Sequence, residues 1–124
     1  MRVNQFSDKG AAPGIRVKIY VREDMVGGGK VELLARLAEH GSVAEAAASM
    51  GMEHERAWFL LDTLQRCFEA PLHDAKPGAE TDPAVVTPMG RELIERFAAH
   101  RAAVDAASAD FVGWLAEKQR RSDD

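Results

Sequence analysis

Apolar positions recur along the chain with two different periods, and the period changes mark the elements. Ile15-Arg16-Val17-Lys18-Ile19-Tyr20-Val21-Arg22 alternates, the pattern of a strand with one face buried and one in water. Gly27-Gly28-Gly29 then interrupts the chain as a turn; the residues after it complete neither a P-loop nor a GxGxxG phosphate cradle. Val31, Leu34, Leu37 and Ala38 shift to helical spacing and predict a helix over about Lys30 to His40, stopped by Gly41. Ser42 with Glu45 three residues on is a capping box, expected to satisfy two orphan backbone donors and to start a short helix rich in Ala44, Ala46, Ala47 and Ala48. Met50-Gly51-Met52 breaks that helix, and Ala57, Leu60, Leu61, Leu64 and Phe68 form the stripe of a longer one. Ala47 supplies the small side chain a close crossing needs and Gly51 the positive φ of a tight turn. That register points to a helix-turn-helix rather than a generic helical hairpin.

Pro71-Leu72-His73-Asp74-Ala75 and Ala84-Val85-Val86 flank a turn-rich stretch from Lys76 to Pro83 and predict a two-stranded wing. Thr87-Pro88 is an N-cap followed by proline at the first helical position. Ile94, Phe97, Arg101, Val104, Ser108, Phe111 and Leu115 then recur at spacings of three and four, predicting one long helix. Its apolar positions exceed what a lone solvated helix shows, so a second copy or the domain itself covers them. Arg101 and Ser108 interrupt the seam and set register in a homodimer. The expected organisation is a flexible leader over 1–14, a winged helix-turn-helix domain over 15–87, a dimerisation helix over 88–118 and a tail over 119–124. The fold class is mainly α with a small β component.

Composition narrows the classes without changing that plan. The 124 residues suffice for one domain, and 46% hydrophobic with 29% charged residues exclude a disordered chain and a membrane protein. The N-terminus lacks the apolar core of a signal peptide, which places the chain in the cytoplasm with no membrane partner. Cys67 stands alone, so no intrachain disulfide forms; its place beside Leu64 and Phe68 reads as an inert core thiol. His40, His54, His73 and His100 are dispersed without ligand spacing, and no catalytic set is arguable from order. No metal, no cofactor and no enzymatic activity are expected.

Particular words sharpen the pattern. Gly41-Ser42-Val43-Ala44-Glu45-Ala46-Ala47, Met50-Gly51-Met52, Arg56-Ala57-Trp58, Pro71-Leu72 and Val86-Thr87-Pro88-Met89-Gly90-Arg91-Glu92-Leu93-Ile94 resemble the N-terminal DNA-binding domain of the molybdate-responsive ModE regulators. They are more distantly similar to LysR-type winged helices. The resemblance runs from about Ile15 to Phe97 and implies a dimeric bacterial transcription regulator. Members of full length add C-terminal molybdate-binding domains, so the chain resembles a stand-alone form.

On that reading double-stranded DNA is the partner, and the DNA-facing set is Ser42, His54, Glu55, Arg56, Phe59 and Lys76. Arg56 stands where recognition-helix side chains reach guanine or clamp a phosphate, or else pairs with Glu53 or Asp62. Glu55 either accepts from cytosine or merely favours the positive helix end. Phe59 points away from the core stripe, toward a thymine methyl, another protein or the leader. Trp58 belongs to the edge of the core.

Charge opposes the DNA reading. The net charge is −4, and Gly51 to Arg66 sets Arg56 and Arg66 against Glu53, Glu55 and Asp62, whereas counterion release needs positive contacts. The family's wing is basic, but here Lys76 meets Glu80 and Asp82. The second reading is therefore a winged helix with weakened or lost DNA binding that serves as a protein-interaction module. Arg16, Lys18, Arg22, Lys30 and Arg36 form a positive face only if the fold brings them together.

Overall fold

A computed structural model describes residues 13–120. The expected leader, apart from Pro13 and Gly14, and most of the expected tail lie outside that range. The chain opens with an antiparallel hairpin of β1 (Lys18–Val21) and β2 (Asp24–Gly27), in which Lys18 faces Gly27 and Val21 faces Asp24. The predicted strand is shorter than its alternation suggests, and no residue of β1 is fully buried. The buried side of the hairpin is Val26 and Gly27 of β2. Nor do the three glycines make a separate turn: Gly27 ends β2, and Gly28 and Gly29 open α1 (Gly28–His40) directly.

α1 is the centre of the molecule. Leu33, Leu34 and Leu37 are wholly buried on it, each contributing about 1.5–3 kcal/mol of transfer free energy. They meet Val43, Ala46 and Ala47 of α2 (Val43–Ser49) and Ala57, Leu61 and Leu64 of α3 (His54–Gln65). Ser42 caps α2 by accepting the Glu45 N–H at 3.2 Å, while its hydroxyl donates to Glu45 Oε2 at 3.3 Å. The Glu45 carboxylate is thereby held on the hydroxyl, so this capping box satisfies one backbone donor by side chain rather than two. At the α2 terminus the Ala47 carbonyl accepts from both Met50 and Met52, each at 3.0 Å. Gly51 between them sits at φ 68°, a value an L side chain adopts only at a cost. α3 stops at Gln65, so Phe68 of the predicted stripe packs against the core from beyond it.

The expected wing is reduced to a single bridge, His73 to Val86, flanked by Asp74 N–H to the Val85 carbonyl at 3.1 Å and Thr87 N–H to the Leu72 carbonyl at 2.9 Å. Pro71, Pro77 and Pro83 remove ladder donors. The backbone in between pairs with helices instead: Ala44 N–H donates to the Glu80 carbonyl and Ala84 N–H to the Gly41 carbonyl, both at 2.8 Å. Residues 76–83 therefore lie tied to the α1–α2 junction, and Leu72, Ala84 and Val86 close the core.

Thr87 starts α4 (Pro88–Ala107), accepting the Gly90 N–H at 3.1 Å and donating to the Pro71 carbonyl at 2.6 Å. Gly90 is buried against Leu72 and Val86, where an added Cβ would come within 2.6 Å of Val86 Cγ1. The single long helix of the sequence reading opens at Ser108 into α4 and α5 (Ala109–Lys118). Ser108 has φ −96° and ψ −1°, yet Ser108 N–H still reaches Val104 O at 3.0 Å and Val112 N–H reaches Ser108 O at 2.9 Å. The opening is local, at a residue whose hydroxyl competes for the backbone. Among the described residues no helix is long and apolar enough to cross a membrane.

Candidate functional site

The residues singled out on α3 do not form one surface. Ser42 is buried and engaged in the cap of α2. His54 and Glu55 border a shallow cleft with Glu53, Trp58 and Glu80. Glu55 and Phe59 also line a longer groove with Asp62, Gln65, Glu69 and His73, so that groove is acidic, with Phe59 55% exposed on its wall. Arg56, one residue from Glu55 and so about 100° round the helix, lies outside that groove and lines a separate cavity. It makes no ion pair with Glu53 or Asp62; its guanidinium lies 5.5 Å from the Phe59 ring centroid, within cation–π range. Lys76 is exposed on the loop.

Three described groups are electrostatically tuned, and of these His73 lines the groove. Glu80 Oε1 accepts from the Trp58 indole N–H at 2.9 Å and the Gly78 N–H at 3.2 Å. A bond from its own backbone, then the Trp58 bond, holds this carboxylate below the usual glutamate value. The acidic loop is thus a structural tie onto α3. Burial pushes the His73 imidazole down, and its Nδ1 accepts the Ala75 N–H at 3.0 Å. Burial, then Asp24, pushes the Cys67 thiol up, which fits an inert thiol.

Behind α3 lies a different cavity, of about 430 Å3, at the start of α1. Lys18 of β1, Lys30 of α1, Arg56 of α3 and Arg101 of α4 all line it, together with Arg16 and a single carboxylate, Glu32. Of the five early cations, the fold therefore gathers Arg16, Lys18 and Lys30 here and leaves Arg22 in the hairpin turn and Arg36 on Glu32 and the Ser49 carbonyl. The sequence named Arg16, Lys18 and Lys30 as cations the fold could gather, but did not join Arg56 and Arg101 to them, because these stand on separate and later helices. Among the described residues no group of three His, Cys, Asp or Glu side chains is placed to hold a metal ion.

The C-terminal seam divides too. Ile94 and Phe97 pack against the chain's own core while remaining partly exposed, because α4 docks on α1 through its first half. Arg101 donates to Asp105 at 3.3 Å and to the Ile15 carbonyl. Val104, Ser108 and Leu115 are half-buried and Phe111 is exposed. Trp114, which the heptad reading passed over, is 53% exposed and stacks on Phe111 at 6.1 Å between centroids.

Comparison with known proteins supplies what geometry alone does not. No family model matches the chain. It is 42% identical over 73 residues to the molybdenum-pterin-binding protein MopA of Rhodobacter capsulatus, a match covering 58% of this chain and 28% of that protein. It is 32% identical over 87 residues to the molybdenum-pterin-binding protein MopB of the same organism, covering 69% of this chain and 32% of that one. The chain is similar to molybdenum-pterin-binding proteins. It spans about a third of the length of these relatives.

These relatives correct the functional expectation. Both are named for binding molybdenum-pterin, and neither name describes a DNA-binding regulator or a protein-interaction module. The molybdenum connection of the sequence reading stands, while the transcription-regulator conclusion drawn from the helix-turn-helix register does not. A helical hairpin in that register specifies how α2 and α3 cross, and crossing geometry alone does not fix a ligand.

Proposed function

We propose that this chain is a non-enzymatic, cytoplasmic binding domain that handles molybdenum, as a molybdenum-pterin or as molybdate, and that works as a homodimer. The observation that carries the reading is the 42% identity over 73 residues to a protein named for binding molybdenum-pterin. The basic cavity beside α1 supports it, because molybdate and the phosphate of a phosphorylated pterin are both anionic. A winged-helix architecture is the fold class this reading adopts, with the 73–86 bridge as a minimal wing. The dimer is supported by Val104, Phe111, Trp114 and Leu115, apolar side chains on α4 and α5 that the rest of the chain does not bury. The experiment is elemental analysis of the protein purified from cells grown with molybdate, with oxidative release of any pterin. Molybdenum co-eluting with the protein in proportion to chain concentration is the expected result. A protein free of both molybdenum and pterin, and unable to take up either on incubation, overturns the reading.

A further inference from the structure

The cavity at the start of α1 is charged in a way the rest of the fold does not explain. Lys30 is only 6% exposed, and an ammonium withdrawn from water is costly unless it is compensated. Its Nζ donates to one neutral acceptor, the Met25 carbonyl, at 3.1 Å, although a lysine carries three donors. Among the described residues no carboxylate forms an ion pair with Lys30, Lys18 or Arg56. The one carboxylate at the wall, Glu32, is already held by Arg36 at 2.7 Å. Four elements thus bring like charges together.

The backbone adds to the same field. α1 runs for 13 residues and begins without a side-chain cap or an acidic residue in its first turn. The first N–H groups of a helix have no intrahelical partner and carry the positive end of its dipole. Here those groups belong to Gly28, Gly29 and Lys30, and all three residues line the cavity. A Cβ at Gly29 would meet nothing within 4 Å, so the approach to this backbone is open.

We propose that this cavity binds a tetrahedral oxyanion, with Lys18, Lys30 and Arg56 as its charge partners and the amides at the start of α1 as its hydrogen-bond donors. The assignment of molybdate or a pterin phosphate as that oxyanion rests on the function proposed above; the site itself does not. A volume of about 430 Å3 lies in the range of small-molecule sites, roughly 300–1,000 Å3. It exceeds what a bare ion needs, so there is room for an oxyanion carried on a ring compound as well as for a free one.

The test is titration of the 15N-labelled full chain with sodium molybdate, inorganic phosphate, sodium sulfate and a pterin monophosphate, at fixed ionic strength, followed by NMR. Saturable shifts centred on the amides of Gly28, Gly29 and Lys30 are expected. Lys18→Gln combined with Arg56→Gln, both at exposed positions, should raise the dissociation constant at least tenfold, whereas Lys118→Gln should leave it unchanged. Tightest binding by molybdate supports the free ion, and tightest binding by the pterin phosphate supports the carried one. Equal binding of sulfate and phosphate supports the site and removes the molybdenum reading from it. Absence of saturable shifts with all four probes, or shifts that the double variant leaves intact, overturns the site, while the molybdenum content of the purified protein judges the function separately.

Discussion

The head of the molecule, from β1 through Val86, and its arm, α4 with α5, solve the problem of stability in different ways. In the head, α1 alone buries Leu33, Leu34 and Leu37 completely. In the arm, 30 helical residues bury only Gly90. Interior packing therefore holds the head, whereas the arm rests largely on helical hydrogen bonds and on ion pairs such as Arg96 to Glu92 at 2.7 Å and, beyond Phe97, Arg101 to Asp105 at 3.3 Å. Exposed pairs of that kind are worth about 0.3–0.5 kcal/mol each. A helix so little buried is marginal in water, and a second copy pairing along Val104, Phe111 and Leu115 is the covering we propose for it.

The sharpest way to break this contrast is to truncate one leucine on each side of it. Leu34→Ala should cost about 2–5 kcal/mol in urea unfolding, the transfer loss plus the cavity left behind. Leu115→Ala should cost less than about 0.5 kcal/mol in dilute protein, and more as concentration rises, because dimerisation adds to apparent stability by mass action. Equal losses at the two sites would mean that the arm is held by its own chain.

Gly90 is where the two regions meet. Gly90→Ala forces a methyl into Val86 and the Leu72 backbone, and a cost of roughly 1–3 kcal/mol is expected from overpacking, with faster amide exchange at the start of α4. A variant as stable as the parent would show that α4 does not need its close seat on Leu72.

Two serines sharpen the comparison at smaller scale. Ser42→Ala removes the cap on α2 and should cost about 0.5–2 kcal/mol. Ser108→Ala, at the opening between α4 and α5, should instead gain a few tenths of a kcal/mol, since alanine is the better helix former by roughly that amount. Thermal midpoints moving the same way in both variants would contradict the difference assigned to the two serines.

Acid should act on the head before the arm. His73 is held below its ordinary value of 6.5 by burial, so the unfolded chain binds its proton more readily. Its contribution is complete above that value and is lost as pH falls through the lower folded pKa. Glu80, held below 4.5, follows at more acid pH, and Trp58 fluorescence should report the loss of its bond to Glu80. Replacing His73 with Gln should flatten the loss of urea stability between about pH 7 and pH 5. An unchanged slope would place that loss elsewhere.

What the sequence made legible was local. The Ser42 cap, the positive φ of Gly51 and the Thr87-Pro88 start each depend on residues within four positions of one another, and all three stand in the structure. β2 escaped notice because Asp24-Met25-Val26-Gly27 is too short to show a period and ends in the first of three glycines. The two-stranded wing failed because its backbone groups found partners at Gly41 and Ala44, forty residues away in the chain. Ile94 and Phe97 fit a dimer seam and a docking face equally well by spacing, and the structure shows them packed on the core. The basic cavity was the least legible feature, since Lys18, Lys30, Arg56 and Arg101 share neither an element nor a period.

Native mass spectrometry of the chain equilibrated with molybdate reads both halves of the account in one spectrum, the number of copies in the particle and the molybdenum it carries. The account predicts a dimer bearing up to one oxyanion per chain, with the oxyanion lost and the dimer kept when Lys18 and Arg56 are both replaced by Gln. A molybdenum-free monomer at the same concentration would contradict it.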